Sequence, residues 1–312
     1  MIKKTLYFGN PAYLSLSNKQ LVIKFVQNEQ AEENQKEVNK PTRTIPIEDI
    51  GVVVLDNPQI TITHGLIEAL LNNTAALITC DNRRMPSGLL LPLEGNIIYN
   101  ERFRNQLEAS LPLQKQLWQQ TVKAKITNQA NLLSTVTKET INCMYVWAYD
   151  VKSGDSDNME ARAAAFYWRN IFEKELNFVR DREGDCPNNL LNYGYAILRA
   201  VVARSLVISG LLPLYGIHHH NRYNAYCLAD DIMEPYRPFV DKIVLDIMKE
   251  YKEIPNNLTK EIKAELLKIP DLDVIIGGRH SPLMVAVLQT TSSLAKCFNG
   301  EIRKISYPIY PC

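Results

Sequence analysis

Ile50-Gly51-Val52-Val53-Val54-Leu55 is a continuous apolar run, and it decides how the first part of the chain folds. An uninterrupted run of this length is typical of a strand that is covered on both faces. A polar four-residue segment, Ser17-Asn18-Lys19-Gln20, has the composition of a turn and predicts a hairpin. Further strand patterns lie at residues 5–8, 13–16, 21–26, 43–46 and 75–80, with a short amphipathic helix at 65–71. Residues 1–95 are therefore predicted to form a small β domain with one short helix.

The pattern changes after residue 100, where apolar residues recur three and four positions apart. Helices are predicted at residues 102–110, 113–126, 131–140, 160–172, 190–209, 225–252, 258–267 and 282–297. A chain of 312 residues suits two domains. The predicted fold class is α+β, with the small N-terminal β domain joined by a linker, residues 96–105, to a larger all-helical C-terminal domain, residues 106–312. Residues 28–42 are nearly all polar and predict a solvated loop.

Composition narrows the class of protein. The sequence has no run of about eighteen apolar residues, and its first residues lack a signal-peptide pattern, so a cytoplasmic location is expected. Six cysteines lie far apart without a Cys-x-x-Cys pair, which argues against a zinc knuckle or a redox pair. The formal net charge of +1 does not indicate a nucleic-acid partner, so any DNA-binding surface must be locally basic.

Residues 215–238 concentrate the groups that can do chemistry. Three histidines, His218, His219 and His220, precede a predicted helix that carries Asp231 and Glu234 three positions apart, on one side of the helix. Two carboxylates among apolar neighbours are unfavourable without a cation or a raised pKa. A divalent ion would resolve the conflict, and this oxygen-rich set favours manganese or magnesium over zinc. A solvated helix face and an exposed histidine turn are the alternatives.

Glu160 opens another predicted helix, next to Ala161 and a run of three further alanines. Such a small helix surface allows a ligand or another backbone to come close, although acids are also common at ordinary helix starts. A third segment, residues 188–199, contains Gly194 inside a strong helical pattern, which indicates close packing at that position. Its tyrosines, Tyr193 and Tyr195, are expected in the core, and Asn192 is a candidate donor near the site.

Together these segments resemble the CRISPR-associated integrase-endonuclease of spacer acquisition, the first-numbered Cas protein, in its compact type II form. The resemblance rests on four motifs in the family's order: Glu160 with its alanines, Leu191-Asn192-Tyr193-Gly194-Tyr195, Gly216-Ile217-His218-His219, and Asp231-Ile232-Met233-Glu234-Pro235-Tyr236-Arg237-Pro238. It covers most of the chain. The family's fold, a small β domain linked to a helical domain, agrees with the division read from periodicity.

The resemblance implies a catalytic metal site formed by Glu160, His219 and Glu234, which would bind Mg²⁺ or Mn²⁺. His219 is chosen from its distance to Glu234 along the sequence, and His218 remains an alternative. Asp231 matches a position that is acidic in the family and is assigned as a supporting catalytic acid. The resemblance further implies a homodimer that joins the small second-numbered Cas protein on double-stranded DNA, as part of antiviral defence.

The implied activity is that of a divalent-metal-dependent DNA endonuclease and integrase. A 3′-hydroxyl of a short DNA fragment attacks a phosphodiester at the repeat array, so no net phosphodiester bond is lost and no ATP-binding glycine loop is needed; none is found. Because protonated histidine cannot bind metal, activity should fall below about pH 6. Candidate phosphate contacts, expected to make DNA binding salt-sensitive, are Arg162, Arg169, Arg199, Arg222, Arg237 and Lys242.

Two other functions fit parts of the same pattern. A metal-dependent phosphohydrolase acting on small phosphate esters would use the same acids and histidine without a basic groove. A non-catalytic DNA-binding scaffold would need Glu160 and His219 only as structural residues. His64 and His280 stand alone in the sequence and are predicted to be structural or surface residues.

Overall fold

The computed structural model describes residues 3–25, 43–93, 95–173, 176–181, 184–251 and 255–311. The loop predicted at residues 28–42 lies outside these ranges. The chain divides into two compact units, Met1–Leu93 and Glu94–Cys312. The predicted linker, residues 96–105, instead contains most of a helix, α2 (Tyr99–Leu107), which belongs to the second unit.

The first unit contains two four-stranded sheets and one α-helix in its described residues. Its elements are β1 (Lys4–Phe8), β2 (Ala12–Ser17), β3 (Gln20–Phe25), β4 (Arg43–Pro46), β5 (Ile50–Leu55), β6 (Thr61–Ile62), α1 (His64–Asn72), β7 (Ala76–Cys80) and β8 (Pro86–Leu90). One sheet has the order β1-β5-β7-β8 and the other β4-β3-β2-β6. Strand β5 pairs in parallel with β1 and β7, and Ile50 to Val54 are buried. The buried central strand read from the sequence is confirmed.

The hairpin predicted in this unit is also confirmed. Strands β2 and β3 pair antiparallel with Ser17 opposite Gln20, so Asn18 and Lys19 form the loop. Both loop residues have positive φ angles, 47° and 59°, as a two-residue hairpin turn requires. The sequence reading missed β6 and β8. Strand β8 begins at a proline and lies at a sheet edge, where proline is tolerated, and its Pro and Gly content hid the strand pattern.

The second unit is mainly helical. Its helices are α2 (Tyr99–Leu107), α3 (Leu111–Thr137), α4 (Asn142–Asp150), α5 (Met159–Ile171), α6 (Asn188–Ile208), α7 (Cys227–Met233), α8 (Arg237–Glu250), α9 (Lys260–Leu266) and α10 (Leu283–Phe298). The two helices predicted at residues 113–126 and 131–140 form the single helix α3. The one predicted at 225–252 is two helices, because a 3-10 turn, Glu234–Tyr236, separates α7 from α8.

The prediction of an all-helical second domain is wrong in one place. Strands β9 (Asp273–Ile276) and β10 (Arg279–Pro282) form a two-stranded antiparallel hairpin. Gly277 and Gly278 form the two-residue turn. Both have positive φ angles, which residues with a side chain rarely adopt. The Gly-Gly pair directly after the apolar residues Val274-Ile275-Ile276 was the available signal for this hairpin.

Helix α6 lies at the centre of the second unit. Most of its residues are buried, and a Cβ added at Gly194 would lie 2.6 Å from Val240 Cγ1 of α8. The close packing predicted at this glycine is confirmed. By length and composition α6 could cross a membrane, but 78% of its most apolar window is buried inside the protein, which accounts for its apolar surface.

The last described residues are hydrogen-bonded to α3. The amide of Asn128 donates to the backbone oxygens of Pro235 at 2.8 Å and Pro308 at 3.0 Å, and its Oδ1 accepts from the N–H of Tyr310 at 3.0 Å. Asn131, one helical turn later, donates to the Tyr310 oxygen at 2.7 Å. One face of α3 therefore connects the tail to the segment that follows Glu234.

Candidate active site

Glu160 lies in the first turn of α5, and a buried carboxylate fixes that turn. Asp155 accepts the backbone N–H groups of Met159 at 2.9 Å and Glu160 at 3.0 Å, through its two oxygens. These two N–H groups have no partner within the helix, so the carboxylate caps it. Asn158, at a left-handed φ of 54°, turns the chain into the helix. The start of α5 is thereby held in one orientation, and with it Glu160.

Lys125, on α3, brings the two predicted acids together. Its Nζ donates to Oε1 of Glu160 at 2.7 Å and lies 2.6 Å from Oε2 of Glu234. The contact with Glu234 is an ion pair. The two carboxylate oxygens are therefore no further apart than the sum of 2.6 and 2.7 Å. Acids that are 74 positions apart in the sequence meet at one ammonium group.

Glu234 is buried where α7 ends and a proline follows. Arg237, one turn later, places its Nε 2.8 Å from Oε1 of Glu234, and its guanidinium lies over the ring of Tyr195, 4.4 Å from the centroid. Burial by itself would raise the pKa of Glu234, but the charges of Arg237 and Lys125 prevail and lower it to about 2. Glu234 is thus ionised at any physiological pH.

The histidine turn is wrapped around Asp231, which is fully buried. One oxygen of Asp231 accepts the backbone N–H groups of Ile217 at 2.8 Å and His218 at 2.9 Å, and the other contacts Nδ1 of His219 at 2.5 Å. A Cβ at Gly216 would lie 2.8 Å from this carboxylate and 2.4 Å from the His219 oxygen. Only glycine leaves room for the turn to close on the acid.

The contact with Asp231 sets the state of the His219 ring. With Nδ1 directed at the carboxylate, the imidazole presents Nε2 away from it. The hydrogen bond to Asp231 is the main cause of a raised pKa at His219, opposed by partial burial and reinforced by the charges of Glu234 and Glu160. The charges of both acids therefore favour the protonated form of His219.

The neighbouring histidines have different surroundings. His218 stacks on Trp118 of α3, with ring centroids 4.2 Å apart and parallel planes, and partial burial lowers its pKa. Trp118 also meets His219 edge-on at 5.6 Å. His220 is exposed and lies 6.2 Å from the ring of Tyr215. Among the described residues, a carboxylate contacts the ring of His219 and not those of His218 and His220.

Glu160, Glu234 and His219 are the donors that could hold a hard divalent cation. Two carboxylates and one oriented imidazole are suitable ligands, and the carboxylates already converge on a cation, the Lys125 ammonium. Within the described ranges, however, no three His, Cys, Asp or Glu side chains stand close enough together to hold one ion. The chemistry of the donors suits such an ion and the two acids converge on one point, but Lys125 takes that point and His219 does not complete a three-ligand group with them in this arrangement.

Comparisons with known proteins show the family of this chain. The family model described as CRISPR associated protein Cas1 matches residues 6–269. Over 294 residues the chain is 35% identical to the CRISPR-associated endonuclease Cas1 of Neisseria meningitidis serogroup C (strain 8013), covering 94% of this chain and 91% of the relative. The chain belongs to the Cas1 family.

Solved structures share the Cas1 fold of this chain. A casposase bound to integration product superimposes with a TM-score of 0.77 at 20% identity, covering 98% of this chain and 92% of the casposase. A Cas6-RT-Cas1–Cas2 complex contains a chain that matches with a TM-score of 0.72 at 19% identity, covering 97% of this chain and 35% of that longer one. At these identities the likeness shows the fold alone.

Three of the six basic residues predicted to contact DNA in this Cas1-family chain have a carboxylate partner. Those pairs are Arg199–Asp230 at 2.6 Å, Lys242–Asp246 at 2.5 Å and Arg237–Glu234 at 2.8 Å. Arg237 is therefore part of the site itself. Charge already neutralised inside the protein contributes less to binding phosphate.

The other three basic residues are exposed and lie against aromatic rings or near them. Arg162 stacks on Trp147 with its Cζ 4.6 Å from the ring centroid, and Arg222 on Tyr223 at 4.8 Å. Arg169 lines a cavity of about 480 Å³ together with Trp168 and nearby phenylalanines. Within the described part of the chain, none of these three arginines has a carboxylate within 4 Å, so their charge is available to a ligand.

Proposed function

We propose that this Cas1-family chain is a DNA endonuclease and integrase, which joins the 3′-hydroxyl ends of short DNA fragments into a CRISPR repeat array. The observation that carries the proposal is the meeting of Glu160 and Glu234 at one cation, beside a histidine held by a buried carboxylate. The 35% identity to a CRISPR-associated endonuclease over nearly the whole chain supports the same activity.

Glu160, Glu234 and His219 are the residues proposed to hold Mg²⁺ or Mn²⁺. Such an ion offsets charge that builds on the phosphate and lowers the pKa of an attacking hydroxyl or water. Asp231 is assigned a different role from these three, because its two carboxylate oxygens contact the backbone N–H groups and the ring nitrogen of the histidine turn. We propose that it positions His219 and fixes its tautomer, and that it is not itself a ligand.

The reaction exchanges one phosphodiester for another. The 3′-oxygen of the incoming fragment forms a bond to phosphorus and gives up its proton to solvent, while the bond to the leaving 3′-oxygen breaks and that oxygen takes a proton. The bond count is unchanged, so no nucleotide cofactor is consumed. Water in place of the hydroxyl gives strand cleavage, which is the endonuclease activity.

The proposed partners are double-stranded DNA, a second copy of the chain, and Cas2. The family resemblance suggests all three, and a solved complex that matches this chain contains Cas2. The exposed arginines Arg162, Arg169 and Arg222 are proposed to contact phosphates, because their charge is not neutralised by a described carboxylate. Binding through several phosphates would weaken steeply with added salt.

The test is strand transfer of a labelled fragment into a supercoiled plasmid that carries the repeat, with Cas2 and Mn²⁺ present. Glu160→Gln keeps the size of the side chain and is expected to lower the rate by about 100-fold or more. Glu101→Gln is the matched control, because Glu101 also lies in the first turn of a helix and is exposed. If Glu160→Gln integrates the fragment at half the wild-type rate or better, Glu160 is not catalytic. The alternative of a non-catalytic DNA-binding scaffold would then be favoured.

A further inference from the structure

Lys125 is the least expected member of the site. It lies on the buried face of α3, where its side chain is only 10% exposed, and no sequence motif contains it. Together with Arg237 it balances the two acids, so the cluster of Glu160, Glu234, Lys125 and Arg237 carries no net charge. The carboxylates proposed as metal ligands are therefore already compensated by the protein's own cations.

A divalent ion cannot simply be added to this arrangement. Both oxygens of Glu234 are engaged, Oε1 by Arg237 at 2.8 Å and Oε2 by Lys125 at 2.6 Å, and Oε1 of Glu160 faces the same ammonium. Metal–oxygen bonds are about 2.0–2.6 Å long, so an ion shared by the two acids would occupy the space in which Nζ lies. Like charges at that separation repel strongly in a partly buried site.

We propose that Lys125 is the resident counter-ion of the catalytic acids: it holds Glu160 and Glu234 together in the metal-free protein, and a divalent ion must displace it. This role of Lys125 rests on the proposed function of the site, and it explains what controls the binding of the divalent ion there. Lys125 thereby preserves the spacing of the two acids when no ion is bound. It also weakens metal binding, because its ion pairs with both acids must be broken before the ion can bind.

The chemistry of lysine suits this role. Its ammonium is a point charge on a flexible four-carbon stem, so it can leave the acids by rotating its side chain without moving α3. Its contact with Glu234 is an ion pair of opposite charges, which a cation of higher charge can replace. Arginine at this position would hold two carboxylates through a planar fork and would be harder to displace.

Two substitutions therefore shift metal binding in opposite directions. Lys125→Met removes the competing charge and keeps the apolar stem, so the dissociation constant for Mn²⁺ is expected to fall by about tenfold or more. The same variant leaves two acids facing each other, so its metal-free melting temperature should fall by roughly 5–10 °C. Lys125→Arg should weaken Mn²⁺ binding and preserve the metal-free melting temperature.

The experiment measures free Mn²⁺ by electron paramagnetic resonance during titration of the full, chelator-treated chain, with thermal unfolding followed before and after addition. Lys123→Met is the matched control, because Lys123 lies two residues away on α3 and its ammonium donates to the backbone oxygen of Tyr149 at 3.1 Å. It should change neither quantity. Equal or weaker Mn²⁺ affinity in Lys125→Met, with Lys125→Arg like the wild type, would overturn the proposal and make Lys125 a structural ion-pair partner.

Failure of the underlying function gives a different result. Glu234→Gln and Glu160→Gln should each abolish most Mn²⁺ binding in the same titration. If they bind as tightly as the wild type, the ion is elsewhere, and both the metal site and the displacement of Lys125 are refuted. If they bind weakly while Lys125→Met is unchanged, the metal site stands and only the role of Lys125 is wrong.

Discussion

Replacement of Asp231 by asparagine is the sharpest test of how the histidine turn is built. The carboxylate is fully buried, and it receives the N–H groups of Ile217 and His218 on one oxygen and Nδ1 of His219 on the other. Asparagine has the same shape but only one oxygen that accepts. Its NH₂ group must face either the two backbone N–H groups, which is repulsive, or Nδ1 of His219, which could then bond to it only as an acceptor, in the opposite tautomer.

The cost follows from the number and type of these contacts. Hydrogen bonds to a charged group contribute about 1.5–3 kcal/mol each, and a buried donor left without a partner costs a similar amount. We expect the free energy of unfolding to fall by about 2–4 kcal/mol. Loss of the group that orients a proposed metal-binding histidine is expected to lower strand transfer by about 10–100-fold.

The pH dependence separates orientation from general loss of stability. In the wild type, the hydrogen bond to Asp231 raises the pKa of His219, so activity that needs the neutral ring is lost as pH falls through that raised value. Asparagine removes the largest cause, and the acid limb of the rate profile should move to lower pH. The assay is integration rate between pH 5 and 8, with Asp246→Asn as an exposed control. An unmoved acid limb together with a wild-type rate would refute the role of Asp231.

Three further outcomes are expected from the fold. Gly194→Ala would place a Cβ 2.6 Å from a neighbouring side chain, so the free energy of unfolding measured in urea should fall by about 1–3 kcal/mol. Gly65→Ala is the control, because a Cβ there meets nothing within 4 Å, and it should be neutral or stabilising. Equal effects of the two substitutions would contradict the packing argument. Asp155→Ala removes the cap of α5 and should lower the free energy of unfolding by about 1 kcal/mol. It should also slow strand transfer, because Glu160 in the first turn of α5 would be less well positioned. An unchanged melting temperature would show that the cap is not needed. Burial raises the pKa of Asp241 to about 6, above its unfolded value, so the stability that this group contributes should fall by about 2–3 kcal/mol as pH rises from 4 to 6. Urea unfolding of Asp241→Asn relative to wild type across this range should show that difference, and parallel stability curves would exclude it.

Local patterns were sufficient for most of the fold. The apolar run at residues 50–55 predicted a doubly covered strand, and the polar turn beside it predicted a hairpin, because both depend only on neighbouring residues. Helix starts near Glu160 and Asn188 were predicted within a few residues for the same reason. Strands β8, β9 and β10 were missed, since short edge strands with proline or glycine carry little periodic signal.

The site was only partly readable. Glu160, His219 and Glu234 were named from motifs, and in the structure the two acids meet at the Lys125 ammonium, while the described residues contain no group of three ligands that includes His219. Their use as metal ligands remains a prediction. Lys125 was not named, because its role depends on α3 passing between two helices that are remote in sequence.

A signal for Lys125 nevertheless existed. Along α3 the residues Trp118, Val122 and Ile126 form an apolar stripe, and Lys125 falls on the same buried side at a seven-residue interval from Trp118. A lysine on an apolar stripe predicts a buried ammonium that needs an acidic partner. Helical periodicity can therefore indicate that a partner exists, although not which acids supply it.

The bonds of Asn128 couple the folding of the segment after Glu234 to that of residues far from it in the sequence. Its amide joins the backbone oxygen of Pro235, directly after Glu234, to that of Pro308, and its oxygen accepts the N–H of Tyr310. Proteolytic cleavage between α10 and Pro308 would therefore remove two of these three bonds, although every proposed metal ligand would still be present.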